Sequence, residues 1–306
     1  MFPRILVTLD GSPDARRASQ LALVLAERFE SRVSAQFVID TRVVEGPAVE
    51  TLAPLWGEMS SRPFRAEVME AWTARGDETL AEFAGRAVTA GREHVERHLD
   101  VGVAEEAILA RAAGADLVVM GRRGEHAGFG RHPIGSTVSR VLRRAPHPVL
   151  LAAPGPADGG GNGGGDGDGA NGAPAGPATA AAAPPSLPRV CAVACDGREP
   201  SIRALDLAVR YAEAVDGEVR VVAAGGDEAD AVLEPAQRLL HDHGVPWESA
   251  RLDADPPEAV AEALARWKAD CLFMGAFGRS RLHDLLLGSR TDAILEAVRV
   301  PAFLVR

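Results

Sequence analysis

Short apolar runs alternate with longer stretches of helical period, and the order of these blocks occurs twice along the chain. The first half opens on Arg4-Ile5-Leu6-Val7-Thr8-Leu9, passes Asp10-Gly11-Ser12 and reads as a helix from Asp14 to Glu30. The second opens on Val190 to Cys195, passes Asp196-Gly197 and reads as a helix from Pro200 to Val215. In each half there follow a strand (33–39; 218–223), a helix (77–93; 229–243), a short strand (95–101; 246–252) and a helix (105–113; 257–267). An apolar strand, a glycine loop, another helix and a last strand (148–152; 301–305) close each half. Strands that are apolar on both faces and alternate with helices predict parallel sheets covered on both sides. The expected fold class is α/β, as two tandem doubly wound domains.

The two copies occupy residues 1–153 and 189–306. Residues 154–188 are almost entirely Gly, Ala, Pro, Asn and Asp, which cannot bury a core. They read as a flexible linker with a random-coil reach of about 30 Å, leaving the halves able to dock in many geometries. Half one alone carries an extra stretch, residues 41–76, with Trp56, Phe64 and Trp72. A partly ordered excursion packed on its own domain is expected there, with a helical flap over the site or a partner surface as alternatives.

Composition narrows the function. With 46% hydrophobic residues each half can hold a core, and a net charge of −10 argues against nucleic acid as a general partner. No apolar stretch approaches the ~20 residues that span a bilayer, and Met1-Phe2-Pro3-Arg4 runs straight into a strand without a signal segment. Cys191 and Cys195 lie four apart in one strand, about 13 Å between Cα atoms and too far for a disulfide. Buried, reduced thiols and a cytoplasmic location are expected. Lys268 is the sole lysine, which excludes a Walker-type phosphate loop.

The candidate chemistry sits in the repeated glycine loops. Met120-Gly121-Arg122-Arg123-Gly124 leads to Gly135-Ser136, and Met274-Gly275-Ala276-Phe277-Gly278 leads to Gly288-Ser289. In an open parallel sheet a ligand binds beyond the carboxyl ends of the strands, where the strand order reverses. That placement brings Asp10 toward Gly121 and Asp196 toward Gly275. The first glycine of each loop is expected to allow a tight turn, and the second a positive φ with close approach of a ligand. The last Gly and Ser offer amides, a hydroxyl and a helix dipole to an anion. Arg122, Arg123, Arg131 and His132, then Arg279 and Arg281, read as phosphate-screening charge, with a solvated basic surface as the alternative. His94 with His98, His241-Asp242-His243, and Glu105 with Glu106 read as structural residues, and no Ser, His and Asp set is identifiable as a triad.

These motifs resemble the universal stress protein family in its tandem form. Half two matches the ATP-binding version of the family's loop, with nine residues between Gly278 and Gly288, whereas half one has ten between Gly124 and Gly135. The resemblance implies five-stranded sheets of order 3-2-1-4-5 and an adenine nucleotide lying across strands one and four. It places Asp10 and Asp196 near the adenosine end and Val38 and Ala224 against the base. Gly121, Gly124, Gly135, Ser136, Gly275, Gly278, Gly288 and Ser289 take the ribose and phosphates. It also implies pairing through the last strands, within the chain or in a homodimer. ATP, with Mg2+ held mostly by phosphate oxygens, is the expected cofactor. The function implied is a nucleotide-dependent stress-response regulator with little or no catalysis, whose protein partner the sequence does not name. A weak ATP hydrolase and a dimerisation module with empty cradles stand as alternatives.

Overall fold

The computed structural model describes residues 1–44, 61–124, 134–155, 186–224, 227–252, 257–276 and 289–306. The core of the expected linker, residues 156–185, lies outside the described residues, as do residues 45–60 of the extra stretch. Half one contributes β1 (Arg4–Leu9), β2 (Arg32–Asp40), β3 (Val95–Gly102), β4 (Leu117–Met120) and β5 (Val149–Leu151). Half two contributes β6 (Val190–Cys195), β7 (Glu218–Ala224), β8 (Trp247–Leu252), β9 (Cys271–Gly275) and β10 (Ala302–Val305). All ten form one sheet, in the order β3-β2-β1-β4-β5-β10-β9-β6-β7-β8. Each half is parallel with the order 3-2-1-4-5, and the halves meet where β5 and β10 pair antiparallel, Leu150 opposite Phe303.

The period of two in the strands sorts their side chains onto two faces. Ile5, Val7 and Leu9 join one core, with helices α1 (Pro13–Phe29), α3 (Ser61–Thr89), α6 (Glu199–Val215) and α7 (Asp227–His243). Leu6, Val118, Met120, Leu272 and Met274 join the other, with α4 (Ala104–Ala112), α5 (Ser136–Arg144), α8 (Pro257–Trp267) and α9 (Ser289–Ala297). A short α2 (Thr41–Val44) follows β2. Both cores run through both halves. At the seam Phe303 stacks on Phe273 with centroids 4.4 Å apart and also on Phe2, while Tyr211 meets Phe29 and Phe303. Fully burying one such ring contributes about 1.5–3 kcal/mol. The halves are therefore fixed in one arrangement through their pairing and shared cores, which corrects the expectation of free docking.

A second contact across the halves is polar. Arg122, only 1% exposed, donates to the carbonyls of Leu295 (2.6 Å), Val298 (3.1 Å) and Val300 (2.6 Å) around the C-terminal end of α9, and to Ala152 (3.0 Å). The last carbonyls of a helix lack intrahelical partners, and a cation suits the negative end of the dipole. The matching position in half two is Ala276, buried at 1%, so the latch runs one way.

The extra stretch is more regular than expected. Its second part, residues 61–76, is the start of α3, which continues without a break to Thr89 rather than beginning near Asp77. Gly76 does not break the helix, because α3 needs a missing side chain there: a Cβ would lie 2.4 Å from Leu99 Cδ1 and 2.9 Å from Phe37 Cδ1.

Candidate functional site

The strand order of half one reverses between β1 and β4, and their carboxyl ends open toward the N-terminus of α1. Asp10 starts this turn. Its Oδ1 accepts the Ser12 amide at 2.9 Å across Gly11, whose φ of +82° lies in the left-handed region. Ser12 then caps α1 by accepting the Ala15 amide at 3.1 Å. The same start clamps the glycine loop. Asp14 Oδ2 accepts the Arg123 amide at 3.0 Å, and the Gly135 amide donates to the Arg122 carbonyl at 2.8 Å, closing the loop at its far end.

The glycines are required for reasons other than those the sequence suggested. Gly121 does not have positive φ; it lies against α1, where a Cβ would come 2.8 Å from the Ala15 nitrogen and from the Asp14 carbonyl carbon. Gly275 repeats this in half two, where a Cβ would come 2.7 Å from the Ser201 nitrogen. Gly124 also lacks positive φ, which corrects that expectation: its constraint is Asp10, whose Oδ2 would be 2.9 Å from a Cβ. At Gly135 a Cβ would meet its neighbours at 3.6 Å or more, ordinary van der Waals contact, so packing does not require a glycine there.

These elements enclose a cleft of about 530 Å3, within the roughly 300–1,000 Å3 common for small-molecule sites. Asp10, Val38, Gly121, Gly124, Gly135 and Ser136, the six half-one residues singled out by sequence, all line it. Its apolar lining includes Leu9, Phe37 and Trp72 from the side of one core and Val38 from the side of the other, and the start of α5 adds Ser136, Thr137 and Val138. Gly135 at the N-cap of α5 brings no side chain to close the first-turn amides, so among the described residues no cap side chain competes with an anion there. Arg123 lines the cleft as expected, but Arg122 does not: it is turned into the α9 latch, away from any phosphate role. Burial lowers its pKa to about 10, so it stays charged at neutral pH.

An ion network borders the cleft. Arg42 binds Asp40 Oδ2 at 2.5 Å and Glu105 Oε2 at 2.7 Å, and Arg140, one turn beyond Ser136, reaches Glu105 Oε1 at 3.2 Å. Burial pushes the Asp40 carboxyl up, but hydrogen bonds and charge from Arg42 outweigh it and hold the pKa below the usual value. Glu105 does open α4 and suit its dipole, yet it also spans two arginines that line the cleft.

In half two, Asp196 repeats the turn, accepting the Arg198 amide at 3.0 Å across Gly197 at φ +74°. Ala224 ends β7, Gly275 ends β9 and Ser289 begins α9. Gly278, Gly288, Arg279 and Arg281 lie outside the described residues, as do Arg131 and His132 of half one. His98 belongs to β3 and His94 precedes it, so the pair is not on a helix. His243 ends α7 and contacts Glu213 at 2.8 Å.

Against known proteins, the universal stress protein family profile matches residues 1–153 and 189–306. The chain belongs to the universal stress protein family. A universal stress protein of Synechocystis is 22% identical over 315 residues, covering 99% of both chains. One from Thermus aquaticus is 36% identical over 153 residues, covering 49% of this chain and 98% of its own. The crystal structure of an Archaeoglobus fulgidus universal stress protein shares the fold, with a TM-score of 0.70 at 17% identity over 99% of this chain and 96% of that one. Within this universal stress protein, sequence reasoning missed Arg42 and Arg140 as cleft residues and Asp14 as the clamp on the glycine loop, and named Trp72 only as part of the extra stretch, for which a flap over the site was one alternative. Arg140 carried a usable signal, since it falls four residues after Ser136 on the same helical face. The others depend on contacts between distant segments.

Proposed function

We propose that the protein binds an adenine nucleotide, ATP in the first instance, and acts in the cytoplasm as a stress-response regulator whose partners or conformation follow nucleotide occupancy. The observation that carries this reading is the half-one cleft, which joins an apolar wall, an aspartate and an uncapped helix start at a topological switch point. The apolar wall of Leu9, Phe37 and Val38 suits a base, and Asp10 and Asp40 suit ribose hydroxyls. The amides of Ser136, Thr137 and Val138, with Arg123, suit the phosphates. Mg2+ would be held chiefly by phosphate oxygens, with Asp10 near enough to the loop to bind its water shell. Asp196, Ala224, Gly275, Gly278, Gly288 and Ser289 are proposed to form the second site.

Little or no turnover is proposed, because the amides of α5 and Arg123 suit the holding of phosphates and the chain lacks a Walker-type lysine. The weak hydrolase reading draws on one observation, the Asp10 carboxylate beside Gly124, where it could orient a water. Mass spectrometry of nucleotide released from the purified chain tests the proposal, followed by incubation with ATP and Mg2+. Copurifying ATP that survives incubation supports a binding regulator, and steady ADP release supports the hydrolase. Absence of nucleotide together with no saturable ATP binding overturns both.

A further inference from the structure

We propose that Trp72 makes the half-one cleft selective for a ligand bearing an aromatic base, a property that half two does not share; this rests on the nucleotide reading above. Trp72 belongs to the stretch that half one has and half two lacks, since α7 begins three residues after β7 ends at Ala224. The sequence offers no strand or motif to explain an indole there. Its place in the fold does.

Gly76 and Trp72 are four apart on α3 and so share one helical face. Gly76 presses flush against Phe37 and Leu99, where no side chain fits, and this sets the height of the helix over β2 and β3. One turn earlier, the same face places Trp72 6.5 Å from the Phe37 ring centroid, where it lines the cleft together with Phe37 and Leu9 of the same core. The Arg75 guanidinium lies 5.3 Å from the Trp72 ring centroid. Its Nη2 is also 3.1 Å from where a Cβ of Gly11 would sit, so Arg75 lies close to both the indole and the Asp10-Gly11 turn. The ring is thereby held by Phe37, Arg75 and the buried Gly76 contact, so little side-chain entropy remains to be lost when a base meets it.

Position separates this wall from the anion-binding part of the cleft, which belongs to Gly124, Gly135 and α5. A planar base can stack on or pack edge-on against a fixed indole, whereas a bare polyphosphate gains nothing from it. Trp72 is therefore a specificity-determining residue, and its effect depends on the base.

The test is calorimetric titration of the full chain in a Gly288→Val background, which confines binding to half one. Each form is titrated with ATP and with inorganic tripolyphosphate, and its fold is checked by circular dichroism. Trp72→Ala is expected to weaken ATP about tenfold or more, to change tripolyphosphate less than about twofold, and to be rescued substantially by Trp72→Phe. Equal ATP affinity in Trp72→Ala overturns the role of Trp72 while leaving the nucleotide reading intact. Parallel loss of ATP and tripolyphosphate also overturns it, because the indole would then merely support the cleft. No saturable ATP binding before Trp72 is changed overturns the nucleotide reading of the half-one cleft and this inference with it.

Discussion

Replacing Arg122 should loosen the joint between the halves. The guanidinium donates four bonds to main-chain carbonyls, three of them around the end of α9, from a position with 1% exposure. Hydrogen bonds involving a charged group contribute about 1.5–3 kcal/mol each, and a buried carbonyl left without a donor loses about 1–3 kcal/mol. Four such bonds would give an implausibly large sum. The opposing term is the desolvation of a cation almost wholly removed from water, which takes back most of the gain. The net loss expected for Arg122→Met is about 3–5 kcal/mol, in line with removing one partner from a buried polar cluster. Arg122→Lys should fall between, because an ammonium keeps the charge but cannot fork to carbonyls on several sides. Urea unfolding at pH 7 measures this through the midpoint at constant slope, and amide exchange should rise in residues 289–298 first. An Arg122→Met midpoint equivalent to less than about 0.5 kcal/mol from wild type, the range of ordinary surface changes, would refute the latch.

The glycines separate packing from binding. Gly121→Ala should lose about 1–3 kcal/mol of stability, since its Cβ meets the α1 backbone at 2.8 Å, and Gly275→Ala should do the same in half two. Gly135→Ala, with 3.6 Å of clearance and an extended backbone, should stay within about 1 kcal/mol by the same thermal or urea assay. For nucleotide, dialysis with ATP should show a larger loss for Gly288→Val than for Gly135→Val if the nine-residue spacing sets the cradle; equal losses would make the tenth residue of half one harmless. Acid stability follows from Asp40, Asp100 and Asp116, all held below the usual carboxylate range by Arg42, Arg111 and Arg4 respectively. With pKa values lower in the fold than unfolded, the unfolded chain binds more protons in the window below about pH 4. Stability from these groups should be fully present above that window and fall as pH drops through it; a flat profile from pH 5 to 2 would count against these ion pairs.

Local pattern carried most of the architecture. Strand runs such as Leu117-Val118-Val119, and helix starts such as Ser12 and Ser136, are written in residues that touch their sequence neighbours. The Asp10 turn was legible for the same reason, as an Asp-Gly pair before a helix. Where the reading failed, the decisive partner was remote. The sequence pattern ends the extra stretch at Gly76 and starts the helix one residue later, but Gly76 lies inside α3 as a contact with Phe37 and Leu99 on two strands. Arg122 looked like phosphate-screening charge because it follows a glycine, yet its partner Leu295 is 173 residues away. Gly121 and Gly124 were read through their own dihedral freedom, whereas α1 and Asp10 impose the need for a missing side chain.

The most direct test is calorimetric titration of the full chain with ATP and Mg2+, alongside Gly124→Val, whose branched side chain would enter the space between Asp10 and the cleft. The prediction is saturable binding by the wild type and loss of one equivalent in the variant, with its circular dichroism unchanged. A wild type that never saturates, or a variant that titrates identically, would contradict a nucleotide site in the half-one cleft.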